Sequence, residues 1–361
     1  MTPGGRAAVT AIAEGREAEI RRLQGMAVDA LRGAGGDAPF ALVDFPDHAN
    51  VGDSAIWAGT TAYFRDHRAR EPRYVASVDG FSEPALRAAM PAGPIFVHGG
   101  GNFGDLWPRH QEFRERLLAR FPDREIIQLP QSIHFDEPSR IERTARAIAR
   151  HGRFRLFVRD HWSAEFAAAH FDCPVALCPD MAMFLGALDR SRARVDVFYL
   201  LRTDKERAME RAMERAVERA LVGNTGRPDY SFRVGDWLGE HRLPMAAGQL
   251  LRAARDQRHG RTRAGLRVRR YETDARTRVR RGCRLLSSGR VVITDRLHAH
   301  ILGLLLGIPH AVLDNTYGKL GRFLDAWLRD APGVFRASSL AEAEQWAAVR
   351  ASVGGWSGSC R

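Results

Sequence analysis

Short apolar runs alternate with longer mixed stretches along nearly the whole chain. ALVDF (41–45), IFVH (95–98), EIIQLPQS (125–132), FRLFVRD (154–160) and PVALCPD (174–180) read as strands. Helices are predicted over 10–33, from about Ser54, over 138–149, and from His161, with Asp160 as its cap. The IFVHGGGNFGD segment (95–105) reads as a strand and a glycine turn, and EIIQLPQS as a strand that ends in a polar loop. The pattern restarts at VDVFYLLR (195–202). A helix is predicted from Thr203 or Asp204 to about Ala220, with Glu206 placed for a capping box. Further helices are predicted over 245–258 and 273–287, then a strand at GRVVITD (289–295) and a helix over 296–307 ending in glycine. A strand at HAVLD (310–314) and helices at 318–329 and 339–351, with a short strand between them, complete the pattern; 224–245 reads as irregular. Short strands without polar alternation, separated by helices, predict an α/β fold with mostly parallel sheets covered on both faces. LDRSRAR divides the two patterns, so two Rossmann-like domains are expected, 1–190 and 191–361, with the last helix placed to pack back on the first.

The 361 residues suffice for two domains with their own cores, and 45% apolar with 27% charged content is ordinary for a globular protein. The first 20 residues lack a basic segment followed by an apolar core, so no secretory signal is expected. The apolar run around Ile301–Leu306 is far shorter than the about 20 residues of a membrane span. Cys173, Cys178, Cys283 and Cys360 have neither zinc-site nor disulfide spacing, which fits a reducing cytoplasm. The net charge of +12 is concentrated: residues 251–290 hold 14 arginines against Asp256, Glu272 and Asp274. Such a patch attracts an acidic glycan or an anionic membrane face. A nucleic acid is not expected, because the patch lacks interleaved aromatics for base stacking. Lys205 and Lys319 are the only lysines, so part of the patch follows a chain-wide preference for arginine.

Ligands of open α/β sheets bind at the carboxyl ends of the strands, and polar residues gather at those ends here. Asn50-Val51-Gly52-Asp53 and Asn102-Phe103-Gly104-Asp105 repeat one tetrad after a strand. Asn50, Asp53, Asn102 and Asp105 either cap the next helix or meet a ligand, and Gly100 and Gly101 allow close backbone approach. No GxGxxG fingerprint is present, so no dinucleotide site is expected. Gln131, Ser132 and His134 either bond a substrate or close their loop; Arg159 and Asp160 suit a structural ion pair. Arg202, at a strand end just before a predicted helix, suits a carboxylate or phosphate. Thr294-Asp295-Arg296-Leu297-His298-Ala299-His300 is the sharpest feature. With the helix starting by Asp295, that carboxylate and His298 share a face and suit acid–base work, while His300 points elsewhere, into packing. The Asp314-Asn315-Thr316-Tyr317-Gly318-Lys319 loop suits an anion or a sugar through Asn315, Tyr317 and Lys319. No ligand spacing supports a metal site.

On NVGDSAI (50–56), GGGNFGD (99–105), LPQS (129–132), RD (159–160), PD (179–180), LR (201–202), TDRLHAHILG (294–303) and DNTYGK (314–319), the chain resembles the polysaccharide pyruvyl transferase family. The resemblance implies two Rossmann-like domains facing a cleft, like GT-B glycosyltransferases. It implies transfer of the pyruvyl group of phosphoenolpyruvate onto two hydroxyls of a glycan or lipid-linked saccharide, without a cofactor, giving a ketal and phosphate. Arg202 would bind the donor, His298 would move protons, and Asp105 is the nearest matching acid. Asn50, Asp53, Gly100, Gly101, Asn102, Gln131, Ser132, Asp295, Arg296, Asn315, Tyr317 and Lys319 would line the substrates. The setting would be the cytoplasm, at most peripheral to its membrane. A nucleotide-sugar glycosyltransferase of the same architecture is the competing reading; it calls for an acidic residue at the ribose in the second domain, and none stands out.

Overall fold

A computed structural model describes residues 3–201, 230–237, 264–314, 318–328, 331 and 333–352. The helices predicted over 203–220 and 245–258, most of the stretch 224–245 and the arginines of the patch before 264 lie outside the described residues. The fold is α/β, and every strand pairing among the described residues is parallel.

Residues Leu23–Leu185 and His241–Val279 form one compact unit. After helix α1 (Pro3–Ala30) come β1 (Ala41–Val43), α2 (Val51–Arg68), β2 (Tyr74–Ala76), α3 (Glu83–Ala89), β3 (Ile95–Val97) and β4 (Gly100–Gly104). They are followed by α4 (Pro108–Arg120), β5 (Ile126–His134), α5 (Pro138–His151), β6 (Phe154–Val158), α6 (His161–His170), β7 (Val175–Leu177) and a 3-10 turn at Met181–Leu185. The strands run in the order β2-β1-β3-β5-β6-β7, with β4 paired to β5. Alternate residues face opposite layers. Val43, Val97, Ile126 and Leu156 pack with Phe113 and Leu117 of α4 and Ile148 of α5. On the other face Phe96 meets Phe64 of α2. Burial on both faces explains why the strands read as unbroken apolar runs.

Residues Met1–Arg22, Gly186–Glu240 and Arg280–Arg361 form the other unit. Its elements are β8 (Val195–Leu200), β9 (Phe232–Gly235), the end of α7 (Ala264–Ser287), β10 (Gly289–Thr294), α8 (Leu297–Leu306), β11 (His310–Leu313), α9 (Lys319–Trp327), β12 (Val334–Ala337) and α10 (Leu340–Ser352). The strand order is β12-β11-β10-β8-β9. Ala343, Ala347 and Ala351 of α10 pack on Val197, Val291, Ile293 and Leu313, so the last helix covers the sheet of its own unit.

The compact units are discontinuous, unlike the contiguous halves 1–190 and 191–361. The division falls inside α1 and α7. Arg22 of α1 donates to the carbonyl of Trp327 (2.7 Å), which ties the early part of that helix to the second sheet's unit. Tyr271 of α7 stacks on Phe45 (4.0 Å between centroids), which ties the early part of α7 to the first. Among the described residues no helix is long and apolar enough to cross a membrane.

Two further differences from the sequence reading are local. The glycine run is not a turn: Gly100–Gly104 is strand β4, with φ of 131° at Gly100 and 123° at Gly104, conformations that a side chain resists. Gln131, Ser132 and His134 lie inside β5 rather than in a loop after it, because β4 extends the pairing to His134. A Cβ at Gly104 would overlap the carbonyl oxygen of His134. Gly104→Ala is therefore expected to cost about 3 kcal/mol, combining positive-φ strain with overpacking. Urea unfolding reads it, and an unchanged midpoint would contradict the packing described.

Among the described strands the order reverses between β1 and β3 in the first sheet and between β8 and β10 in the second. Crevices at these points are where doubly wound sheets hold ligands.

Candidate functional site

In the first unit the reversal point is built from Asp44, which follows β1, and His98, which follows β3. Asp44 adopts φ 69°, unusual for a residue with a side chain. Its carboxylate is buried; Oδ1 lies 2.8 Å from Nδ1 of His110 on α4, and Oδ2 accepts from Nδ2 of Asn102 (3.2 Å). Burial opposes charge on Asp44, but His110, His98 and Arg114 outweigh it and hold the carboxyl below the usual range. Burial likewise opposes charge on His110, and Asp44 outweighs it, so the imidazole is raised above its ordinary value. His98 is the opposite case. It is 2% exposed, neither ring nitrogen has a hydrogen-bond partner among the described residues, and burial pushes it down to about 4.

Beneath this surface a buried amide–guanidinium network fixes the glycine-rich strand. Arg114 donates to Gln128 (2.6 Å), Gln111 (2.5 Å) and Asn102 Oδ1 (3.0 Å), and burial pushes its guanidinium down to about 10. Gln131 accepts from the Asn102 amide (3.1 Å) and donates to Asn102 Oδ1 (2.7 Å) and the His98 carbonyl (3.1 Å). Asn102 and Gln131 thus bond each other, and their side-chain amides are further engaged by Asp44, Arg114 and the His98 carbonyl.

Asn50 caps α2, accepting from the Gly52 amide (3.0 Å), and donates to Asp53 Oδ2 (2.8 Å). His48 Nε2 lies 3.6 Å from the same oxygen. A Cβ on Gly100 would stand 3.6 Å from Asp53 Oδ1, so the glycine backbone runs beside that carboxylate, with half-buried Gly101 next in line. The loop between β1 and α2 is clamped by Arg278 of α7, which donates to the Pro46 carbonyl (2.7 Å) and Asp47 (3.2 Å). One arginine of the basic stretch is therefore a structural clamp.

Ser132 and Asp105 have other partners. Ser132 is buried; it donates to Asp160 (2.8 Å) and accepts from Arg159 (2.9 Å), which also pairs with Asp180 (2.6 Å). The ion pair of Arg159 is therefore with Asp180 and not with neighbouring Asp160, which caps α6 and reaches Arg159 through the Ser132 hydroxyl. Asp105 Oδ2 accepts from the amides of Asp136 and Glu137 (2.8 Å each), tying down the start of α5, while Oδ1 has no hydrogen-bond partner among the described residues. Ligand atoms of Asp105, His134 and Asp136 fall within 4.8 Å of one another, the one group of metal-ligating type among the described residues.

In the second unit Thr294 ends β10 at the reversal point, and Asp295 and Arg296 follow it. Thr294 donates to the Leu200 carbonyl (2.6 Å) and accepts from the Arg296 amide (3.1 Å), which keeps the chain extended through Arg296. Helix α8 therefore begins at Leu297 with Arg296 as cap, and Asp295 lies before the helix rather than on one helical face with His298. Arg296 is buried, pairs with Asp236 (2.8 Å) and lies over Trp237 (5.5 Å). His298, in the first turn of α8, is half-buried. His300 packs, as expected, sharing a 2.8 Å hydrogen bond with His310. Lys319 is buried at the start of α9. Arg202, Asn315 and Tyr317 lie outside the described residues.

Sequence reasoning missed Asp44, His98, His110 and Arg114. Asp44 and His98 each ended an apolar run, a visible signal. His110 and Arg114 lie in α4 (Pro108–Arg120), a helix the apolar pattern did not pick out.

A family profile described as polysaccharide pyruvyl transferase matches residues 50–317. Pyruvyl transferase 1 of Schizosaccharomyces pombe is 34% identical over 80% of this chain and 69% of its own length. EpsO of Bacillus subtilis, provisionally named a pyruvyl transferase, is 31% identical over 80% of this chain and 85% of its own. The crystal structure of a functionally uncharacterized protein from Klebsiella pneumoniae shares the fold, with TM-score 0.53 at 17% identity over 89% of this chain and 97% of that one. The profile covers residues 50–317, including His98 at the first reversal point and the whole of the second, and on this basis the chain belongs to the polysaccharide pyruvyl transferase family, whose members are ketal-forming transferases.

Proposed function

We propose that this enzyme transfers the pyruvyl group of phosphoenolpyruvate to two hydroxyls of a glycan or lipid-linked saccharide. Protonation of the donor's methylene carbon makes C2 electrophilic. A hydroxyl attacks, phosphate leaves with the bridging oxygen, and a second hydroxyl closes the ketal. The observation that carries this reading is the family match over residues whose polar groups stand at the reversal points of two parallel sheets. His298, in the first turn of α8, is assigned proton transfer, and the start of that helix favours the donor's negative charge. Arg202 is assigned the donor's carboxylate or phosphate. Asp105 has Oδ1 left for an acidic role, since its other oxygen holds two amides. Asn50, Asp53, Gly100, Gly101 and Asn102 are assigned to the acceptor.

The GT-B-like pairing of two Rossmann-like units, which the family resemblance implies, is part of the proposal. So are a cytoplasmic setting, where phosphoenolpyruvate is drawn, and contact of the arginine-rich stretch with an anionic acceptor or membrane face. Incubation of the full chain with labelled phosphoenolpyruvate and a panel of free and lipid-linked glycans tests it. A pyruvate ketal by mass and one phosphate per ketal are expected. Absence of ketal across the panel, or transfer from a nucleotide sugar instead, overturns it.

A further inference from the structure

We propose that His110 is a catalytic base of the transfer, taking the proton of an acceptor hydroxyl at Nε2, and that Asp44 is its positioning residue; this rests on the pyruvyl-transfer reading above. The geometry is that of an oriented imidazole. Nδ1 stands 2.8 Å from a carboxylate that is itself buried and held by Asn102. That contact sets the proton on Nδ1 and leaves the lone pair on Nε2. Among the described residues Nε2 makes no hydrogen bond, and the side chain keeps 23% of its surface exposed, so a hydroxyl can reach it.

The backbone supports the same reading. Asp44 and Ala69 are the two residues other than glycine with positive φ among those described. Ala69 ends α2, the ordinary use of that conformation. Asp44 ends no helix; its conformation turns the carboxylate toward α4 at the point where the sheet reverses, and strain of this kind collects at functional sites.

In the step itself the acceptor O–H bond breaks, its proton passes to Nε2, and the oxygen lone pair bonds to C2 of the protonated enolpyruvyl donor. Asp44 stabilises the imidazolium, which returns the proton to the departing phosphate. The charged and titratable groups around His110 are Asp44 after β1, Asp53 of α2, His48 in the loop between them and Arg114 on its own helix. Asp44 dominates among them as a charge, so the base becomes neutral only above the ordinary histidine range. The acid limb of the kcat profile should report that transition.

The test uses the full chain, following phosphate release from phosphoenolpyruvate with a panel of methyl hexosides and lipid-linked saccharides. His110→Gln is expected to lower kcat about 10²- to 10⁴-fold with little change in KM for phosphoenolpyruvate. Added imidazole should partly restore His110→Ala. Asp44→Asn, an isostere that tolerates positive φ, should move the acid limb to lower pH while the melting temperature stays near wild type. A His110→Gln enzyme that keeps its kcat and acid limb overturns the role, and so does a folded His110→Ala enzyme that imidazole leaves unchanged. A wild-type enzyme that releases no phosphate with any acceptor overturns the pyruvyl-transfer reading, and this role with it.

Discussion

Acidification from pH 7 to pH 4 is expected to remove about 3 kcal/mol of folding stability from each compact unit. Each carries a fully buried histidine held neutral: His98 beside the first sheet and His310 on β11 of the second. Burial pushes both down to about 4 from an ordinary value of 6.5. Each pKa unit corresponds to about 1.4 kcal/mol, which gives about 3 kcal/mol per histidine. The sign follows from the protons bound. Between pH 6.5 and 4 the unfolded chain protonates these imidazoles and the native one does not. Stability is therefore complete above 6.5, is lost as pH falls toward 4, and loses nothing further from these groups below that. His300, bonded to His310 and lowered by burial and by that neighbour, acts in the same direction. His110 acts in the opposite direction, because its pairing with Asp44 favours the protonated form. Against a typical stability of about 5–15 kcal/mol, the predicted loss is large. Urea midpoints from pH 8 to pH 4 measure it, and His98→Asn and His310→Gln should each flatten the profile. Midpoints that stay constant down to pH 4.5 would show that these histidines accept protons without cost.

The architecture was legible because parallel strands buried on both faces leave continuous apolar runs, as in IFV before the glycines and VVIT before Asp295. Tyr74–Ala76 and Phe232–Gly235 escaped notice: each is only three or four residues long and takes its identity from pairing with β1 and β8. The glycine run looked like a turn because nothing in GGGNFG suggests a strand. The β5 pairing and the Gln131 amide make it one, and those partners lie about 30 residues away. The candidate site was legible wherever polar residues cluster in sequence, as at Asn50–Asp53 and Thr294–His298. It was illegible where chemistry arises from distant residues. Asp44 and His110 are 66 positions apart and meet only because α4 returns over the end of β1. The helical face imagined for Asp295 and His298 failed for a local reason: Thr294 captures the Arg296 amide and delays the helix by two residues.

Replacing His298 by alanine is expected to lower kcat about 10²- to 10⁴-fold, the range for losing a proton-transfer group, while leaving the fold intact. Its neighbour provides the contrast. Arg296 is buried, pairs with Asp236 and covers Trp237, so Arg296→Gln should reduce activity and stability together. Removing one partner of a buried ion pair costs about 3–5 kcal/mol. His298 is half-buried and occupies the first turn of α8, whereas the Arg296 side chain is buried beneath the strand end. The two variants therefore separate a group used in the reaction from a group that shapes the strand end. Phosphate release from phosphoenolpyruvate gives the first readout and urea unfolding the second. His298→Ala with unaltered turnover would remove the proton-transfer role from this histidine. His298→Ala that is as unstable as Arg296→Gln would mean that both residues serve the turn between β10 and α8.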